Sequence, residues 1–323
     1  MKKKLIILAG IMAIIVIGIF SAAHYIDKDT NKPADGDRTI RVVTSFYPAY
    51  VLTINLTDGI SDIEVDSLTD FSAGCLHDYQ LTTNDMKLLS DADVFIINGG
   101  GMEEYLGDVL DSYPELKIIN LSEGITMLES QTHEGEDNPH VWLDPKLYML
   151  QVENAKEGLI NYIKDKGNKI DANEAAKMIS SNAGSYLEKV SKIAEDMKDI
   201  LDSVKAMVES RNISNKVVVF HDSFAYLSNR AGLEVVYTIE LDEDTPLSAG
   251  EVAEVINAIR KDNIRYLFTE EQYDDTISNR IENETDAGVY VIDSAVTGDA
   301  DKDSYLKAMR RNIATLREAF GEE

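Results

Sequence analysis

The sequence has almost no cysteine and too little positive charge, and each shortage excludes a class of protein. Its one cysteine, Cys75, cannot form a disulfide within the chain, so burial must hold the fold together. Lys and Arg number 31 against 58 Asp and Glu, and the net charge of −27 excludes the basic patches of nucleic-acid-binding proteins. A hydrophobic content of 44% excludes a disordered chain, and a length of 323 residues favours two domains.

The N-terminal segment is typical of an exported protein. Lys2, Lys3 and Lys4 precede an apolar run from Leu5 to Phe20, and small residues follow it. We therefore expect residues 1–23 to be a signal peptide or an N-terminal membrane anchor, and residues 24–38 to be a flexible tether. No cysteine follows the run, so a lipid-modified cysteine is not available. The protein is expected to be extracytoplasmic, at the cell surface or in the periplasm, and either membrane-tethered or secreted.

Short apolar runs alternate with helical segments, which predicts two α/β lobes with parallel sheets. The N-terminal lobe is assigned to residues 39–170 and the C-terminal lobe to residues 211–323. The predicted strands of the first lobe are Ile40–Phe46, Ile63–Leu68, Asp93–Gly99 and Lys117–Leu121. Those of the second lobe are Val217–Asp222, Glu234–Ile239, Tyr266–Glu270 and Val289–Asp293. Further helices are predicted after Thr83, at Glu103–Leu110 and at Val252–Arg260.

Residues 171–210 have a different pattern, with no proline and one glycine, Gly184. Apolar residues recur every three or four positions from Ile179 to Met207, which predicts one amphipathic helix roughly 60 Å long. Asp171 and Glu174 resemble a capping box at its start. A helical hairpin or coiled coil is the alternative, but the strands that follow favour a rigid helix joining two lobes.

Three histidines lie at the ends of apolar runs, and they suggest a metal site. His77 follows GCL, His140 follows Asn-Pro, and His221 follows VVVF. Asp293 directly follows the strand VYVI, and ligands of parallel α/β lobes gather at such carboxyl ends. Three imidazoles and one carboxylate would satisfy the four-coordinate preference of zinc. These residues alone do not say whether the metal is cargo or catalyst.

Two other kinds of protein fit the same residues. A secreted zinc hydrolase would use His77, His140 and His221 as ligands, keep a water on the metal and use Asp293 as a base. The absence of an H-E-x-x-H motif argues against this hypothesis. An adhesin-like surface protein with structural zinc is the other alternative. Asp293 could also simply cap a following helix.

The order of these motifs resembles the substrate-binding proteins of zinc and manganese ABC importers (the cluster A-I family). The segments are G-x-x-H-x-Y at His77, NPHVWLDP (Asn138–Pro145), FHDSFAYL (Phe220–Leu227) and the strand ending in Ile292-Asp293-Ser294. The resemblance runs from about Val42 to the C-terminus. It implies a periplasmic-binding-protein-like fold with a helical backbone, in which His77, His140, His221 and Asp293 bind the metal between the lobes. It also implies zinc as cargo, with manganese as the alternative, a membrane permease as partner, and no enzymatic activity; we expect a monomer.

The chain departs from the family pattern at several places. Cys75-Leu76 stands where members often carry Asp-Pro, and the His-rich loop of zinc members is reduced to Thr132–His140. We interpret His133 and its acidic neighbours as a solvated loop, with transient metal collection as the alternative. Members that carry manganese more often have a glutamate at the position of His221, so this histidine and ligand softness both favour zinc.

Four neighbouring residues have expected supporting roles. Cys75 is expected to be a small buried residue and not a thiolate ligand, because four other ligands fill the shell. Asp78 and Asp222 each follow a ligand histidine, and either could orient an imidazole or cap a helix. Trp142 is expected to pack beneath the loop that carries His140.

Overall fold

A computed structural model describes residues 39–74, 76, 79–166, 171–239, 248–271 and 275–321. It contains two four-stranded parallel sheets, which confirms the predicted fold class. The first sheet has the order β2-β1-β3-β4 and contains β1 (Ile40–Thr44), β2 (Ile63–Ser67), β3 (Val94–Ile97) and β4 (Lys117–Asn120). The second has the order β6-β5-β7-β8 and contains β5 (Lys216–Val219), β6 (Glu234–Thr238), β7 (Tyr266–Glu270) and β8 (Gly288–Ile292).

The central strands are short apolar runs because both of their faces are covered. Val42 and Val43 of β1 point to opposite faces of the first sheet, and both are buried. Val218 and Val219 of β5 show the same burial in the second sheet. Parallel pairing then brings the carboxyl ends of β5, β7 and β8 to one edge, where His221, Glu270 and Asp293 lie.

Helices connect most of the strands, and the last helix follows β8. In the first half these are α1 (Tyr47–Leu56), α2 (Thr83–Asp91), α3 (Pro145–Asp165) and the long α4 (Ala172–Glu209). In the second half they are α5 (Ala225–Ala231), α6 (Ala249–Asp262), α7 (Asp275–Glu284) and α8 (Ser304–Phe320). Short 3₁₀ helices cover Glu104–Ser112, Val141–Leu143 and Asp222–Phe224. The predicted helix at Glu103–Leu110 is thus a 3₁₀ segment, and Gly107 breaks it with φ 43° and ψ −130°.

Helix α4 is one continuous helix of 38 residues, so the hairpin alternative is wrong. At 1.5 Å per residue it is about 57 Å long. The side chain of Asp171 caps it by accepting hydrogen bonds from the backbone N–H groups of Asn173 and Glu174. Its buried stripe runs from Ala175 to Val204 and joins a hydrophobic core that includes residues of both sheets. The helix is therefore a packed backbone for both lobes.

The last helix connects the second lobe to the first. Tyr305 of α8 stacks on Tyr148 of α3 with ring centroids 3.7 Å apart, and its hydroxyl donates to the carbonyl of Trp142 at 2.8 Å. The loop before α8 also contacts α1, because the hydroxyl of Tyr47 donates to the carbonyl of Asp299 at 2.8 Å. These contacts fix the loop of His140 relative to the end of β8.

In the part of the chain that the structure describes, no helix combines the length and apolar character needed to cross a bilayer. The predicted signal peptide or anchor (1–23) and tether (24–38) lie outside the described residues.

Candidate metal centre

His140 is buried and held by the residue two positions before it. The residue is only 2% exposed, and its Nδ1 lies 3.0 Å from Oδ1 of Asn138. An amide oxygen only accepts hydrogen bonds, so Nδ1 carries the proton and Nε2 carries the lone pair. Asn138 is itself fixed, because its Nδ2 donates to the carbonyl of Asp222 at 2.9 Å. The NPH sequence thus places the lone pair of His140 on Nε2, the nitrogen through which this residue could bind a metal.

His221 is oriented by a carboxylate that the sequence analysis did not select. Its Nδ1 lies 3.2 Å from Oε1 of Glu270, the last residue of β7, and the hydroxyl of Ser223 donates to the same oxygen. Burial raises the pKa of Glu270, but the electrostatic attraction of His221 and the hydrogen bonds from His221 and Ser223 outweigh it and lower the pKa to about 2. The ionised carboxylate accepts the Nδ1 proton, so Nε2 of His221 carries the lone pair that could bind a metal.

The two imidazoles come from different lobes and lie together. Their ring centroids are 4.7 Å apart and their planes are nearly perpendicular, at 85°. Two imidazoles that bind one tetrahedral zinc at about 2.0–2.1 Å have ring centres about 5 Å apart. The pair therefore has the spacing that a shared metal ion requires.

Asp293 is linked to this pair through its neighbour Ser294 and Trp142, and its carboxylate has other partners. Oδ1 accepts from the backbone N–H of Ala295 at 2.8 Å, and Oδ2 accepts from Nε of Arg311 at 3.0 Å and also from Nη2. The indole of Trp142, whose ring centroid is 5.2 Å from that of His140, donates to the carbonyl of Ser294 at 2.8 Å. Trp142 is fully buried, as predicted, and it ties the His140 loop to the end of β8.

The capping alternative for Asp293 is wrong. The next helix, α8, begins at Ser304, and the residue at its N-cap is Asp303. The carboxylate of Asp293 instead closes a turn at the end of β8 through Ala295.

The fourth predicted ligand, His77, lies outside the described residues, as do Cys75 and Asp78. Among the residues that the structure does describe, no group of three or more His, Cys, Asp or Glu side chains is arranged to hold a metal ion. The structure thus brings His140 and His221 together and links the end of β8, which carries Asp293, to the His140 loop through Trp142. The complete ligand set remains a prediction.

Asp222 makes hydrogen bonds between the two lobes. Its Oδ2 accepts from the hydroxyl of Ser130 at 2.9 Å and from the backbone N–H of Gln131 at 3.1 Å. Tyr226 adds a parallel contact, because its hydroxyl donates to the carbonyl of Asn138 at 2.7 Å. The loop that carries the exposed His133 is therefore anchored to the second lobe next to the two imidazoles.

Sequence reasoning missed Glu270 and Asn138. Glu270 ends a predicted strand, and the rule that selected His221 and Asp293 applies to it equally. Asn138 lies in the NPH motif, but a neutral amide gives no signal of a metal site. Its role depends on the hydrogen bond to Nδ1 of His140.

The sequence matches one protein-family model and several curated metal-binding proteins. A family model described as the periplasmic zinc-uptake complex component A matches residues 42–319, which is most of the chain. The iron-binding protein YfeA of Yersinia pestis is 25% identical over 297 residues, covering 90% of each protein. The zinc-binding lipoprotein AdcA of Streptococcus pneumoniae is 25% identical over 342 residues, covering 100% of this chain and 62% of AdcA. The chain thus spans about three fifths of the AdcA proteins it matches.

Solved structures share the fold. The solute-binding protein FpvC of Pseudomonas aeruginosa, in complex with Ni²⁺, superposes with a TM-score of 0.72 at 21% identity, covering 88% of this chain and 98% of FpvC. Zinc-bound AdcA of Streptococcus pneumoniae superposes with a TM-score of 0.72 at 24% identity, covering 88% of this chain and 58% of AdcA. Identities this low compare the folds alone.

Proposed function

The chain belongs to the zinc-uptake component A family, whose members are metal-binding substrate-binding proteins and not enzymes, and we propose that it captures a divalent metal outside the cytoplasm for an ABC importer. The metal is bound between the lobes assigned to residues 39–170 and 211–323. The permease of the importer receives it. The hydrolase alternative loses its support, because the family is not one of enzymes.

The observation that carries this proposal is the pair of imidazoles from two lobes. Each ring has its Nδ1 proton bound by a side-chain oxygen, from Asn138 for His140 and from Glu270 for His221. Partners of this kind fix the tautomer and the ring orientation of metal-binding histidines. With His77 and Asp293 they make a closed four-ligand shell, which suits a carrier because it leaves no open position for a catalytic water.

Zinc is the proposed cargo, and manganese is the alternative. Three imidazoles and one carboxylate suit zinc better than manganese, which prefers harder oxygen ligands. The names of the relatives differ in their metals, since YfeA is called iron-binding and AdcA zinc-binding. The cargo must therefore be measured on this chain.

We also propose that the protein acts as a monomer at the cell surface or in the periplasm, tethered to the membrane or secreted. The basic and apolar N-terminal segment supports export, and an anchor would keep the carrier near its permease. N-terminal sequencing of the mature protein distinguishes a cleaved signal peptide from an anchor.

Equilibrium dialysis of the metal-free protein against zinc and manganese tests the proposal. We expect one tightly held ion per chain, and loss of tight binding when His140→Ala and His221→Ala are combined. His133→Ala is the matched control, because this exposed histidine lies in the adjacent loop and should leave the affinity unchanged. Equal metal retention by the double variant and the wild type would refute the proposed site. The spectrum of the cobalt-loaded protein then distinguishes a closed four-ligand shell from one with a bound water.

A further inference from the structure

The carboxylate of Asp293 is paired with a positively charged side chain. Both Nε and Nη2 of Arg311 donate to Oδ2 of Asp293, Nε at 3.0 Å. Arg311 lies on α8, so this pair spans the end of β8 and the last helix. In the proposed function a divalent cation binds the same carboxylate.

The other contacts of Asp293 belong to the fold itself. Its backbone N–H donates to Oδ1 of Asn312 at 2.7 Å, and its carbonyl accepts from Nδ2 of Asn312 at 2.8 Å. Asn312 is fully buried, and Ala295 holds Oδ1 of Asp293 from the other side. The side chain of Arg311, in contrast, is 57% exposed while that of Asp293 is 10% exposed. Arg311 is therefore the partner that can leave without disturbing the strand end.

We propose that Arg311 is an affinity-determining residue that competes with the metal for Asp293. Its guanidinium neutralises the carboxylate in the metal-free chain and returns to it when the ion leaves. This inference rests on the proposed function, because it requires Asp293 to be a ligand. Arg311 thereby weakens metal binding and accelerates release.

The physical reason is that two cations share one carboxylate. A metal that binds Oδ2 must displace the guanidinium, and one that binds Oδ1 lies within a few ångströms of a like charge. The pair is partly exposed, so its loss changes the affinity modestly, by about fivefold. Changes within one binding site act mostly on dissociation, so we expect the release rate to carry the difference.

Arg311→Gln tests the competition, and Arg310→Gln is its matched control. The two arginines are adjacent on α8 and both are exposed, so each variant removes one positive charge from the same region. Zinc affinity is measured by competition with a chromophoric chelator, and release by a stopped-flow chelator chase. We expect Arg311→Gln to bind zinc about fivefold more tightly and release it more slowly, with Arg310→Gln close to the wild type.

A double-mutant cycle locates the effect at Asp293. In an Asp293→Asn background the ion pair is absent, so Arg311→Gln should have no further effect on zinc affinity. Equal affinities of Arg311→Gln and wild type, or equal shifts in both arginine variants, would overturn the inference while zinc binding by the wild type upholds the proposed function. A wild type that binds no metal would overturn both. The arginine Nε–H resonance of Arg311 gives a separate readout, since it should shift when zinc is added.

Discussion

Replacing Glu270 with glutamine should weaken metal binding through His221. Glutamine keeps the length of the side chain and one acceptor oxygen, so the hydrogen bond to Nδ1 can persist. What it removes is the negative charge 3.2 Å from the imidazole. The exposure of the Glu270 side chain is only 4%, so solvent screens this charge little.

The magnitude follows from the pKa of Glu270. A fall from 4.5 to about 2 means that the surroundings favour the carboxylate by about 3 kcal/mol, and His221 makes the largest favourable contribution. A metal-bound imidazole is also electron-poor and draws on the same attraction. Loss of such a partner weakens metal sites by about 10- to 100-fold. We expect a value near the lower end, because the hydrogen bond survives.

The assay is zinc competition with a chromophoric chelator at neutral pH. Glu271→Gln is the matched control, because this exposed neighbour undergoes the same change in charge. Thermal unfolding of both metal-free variants checks that they fold. An affinity of Glu270→Gln within about twofold of wild type, or an equal loss in Glu271→Gln, would refute the role assigned to Glu270.

The remaining predictions concern stability. Gly158→Ala should lower the free energy of unfolding by about 1–3 kcal/mol, because the added Cβ would lie 2.7 Å from a methyl of Ile119. Gly184→Ala should raise the free energy of unfolding by about 0.5–1 kcal/mol, since open space surrounds this exposed position in α4. Denaturant unfolding measures both changes, and two changes of the same sign would contradict the packing around these two positions. Burial raises the pKa of Glu103 to about 7, although its carboxylate accepts from the backbone N–H groups of Asn98 and Gly99. Stability of the metal-free protein should therefore fall as the pH rises from about 4.5 to 7, and a series of unfolding curves for Glu103→Gln should lack this slope.

Periodicity predicted the two sheets and α4 because burial on both faces leaves a direct pattern in the sequence. The strand runs around Val42 and Val218 are continuously apolar, and the stripe of α4 repeats every three or four residues. The segment after Gly101 was predicted as an α-helix but is a 3₁₀ helix. There Gly107 has a positive φ and interrupts the helix. A single glycine in a helical sequence pattern does not show which φ it will adopt.

The sequence was sufficient to select His140 and His221 as candidate ligands, but not the residues that orient their rings. His140 and His221 were found because parallel sheets gather ligands at strand ends. The oxygens that orient them belong to Asn138 and Glu270, and which oxygen meets which nitrogen depends on how the lobes pack. Asp222 shows the same limit, because its hydrogen bonds to Ser130 and Gln131 come from residues about ninety positions away. A sequence pattern indicates which interactions a residue type can make, and the packing of the fold determines which partner it contacts.

The contact of Tyr305 with Trp142 means that the loop of His140 is fixed only after the C-terminal helix has been synthesised and has packed. The two residues are separated by 163 positions, and the bond from Trp142 to Ser294 spans 152. Contacts of this separation are slow to form because long loops must close first. Neither lobe alone can form the imidazole pair, since His140 comes from the first lobe and His221 from the second. Under the proposed function, tight metal binding therefore requires a chain that has folded through its last helix, so only a fully folded carrier would deliver an ion to the permease.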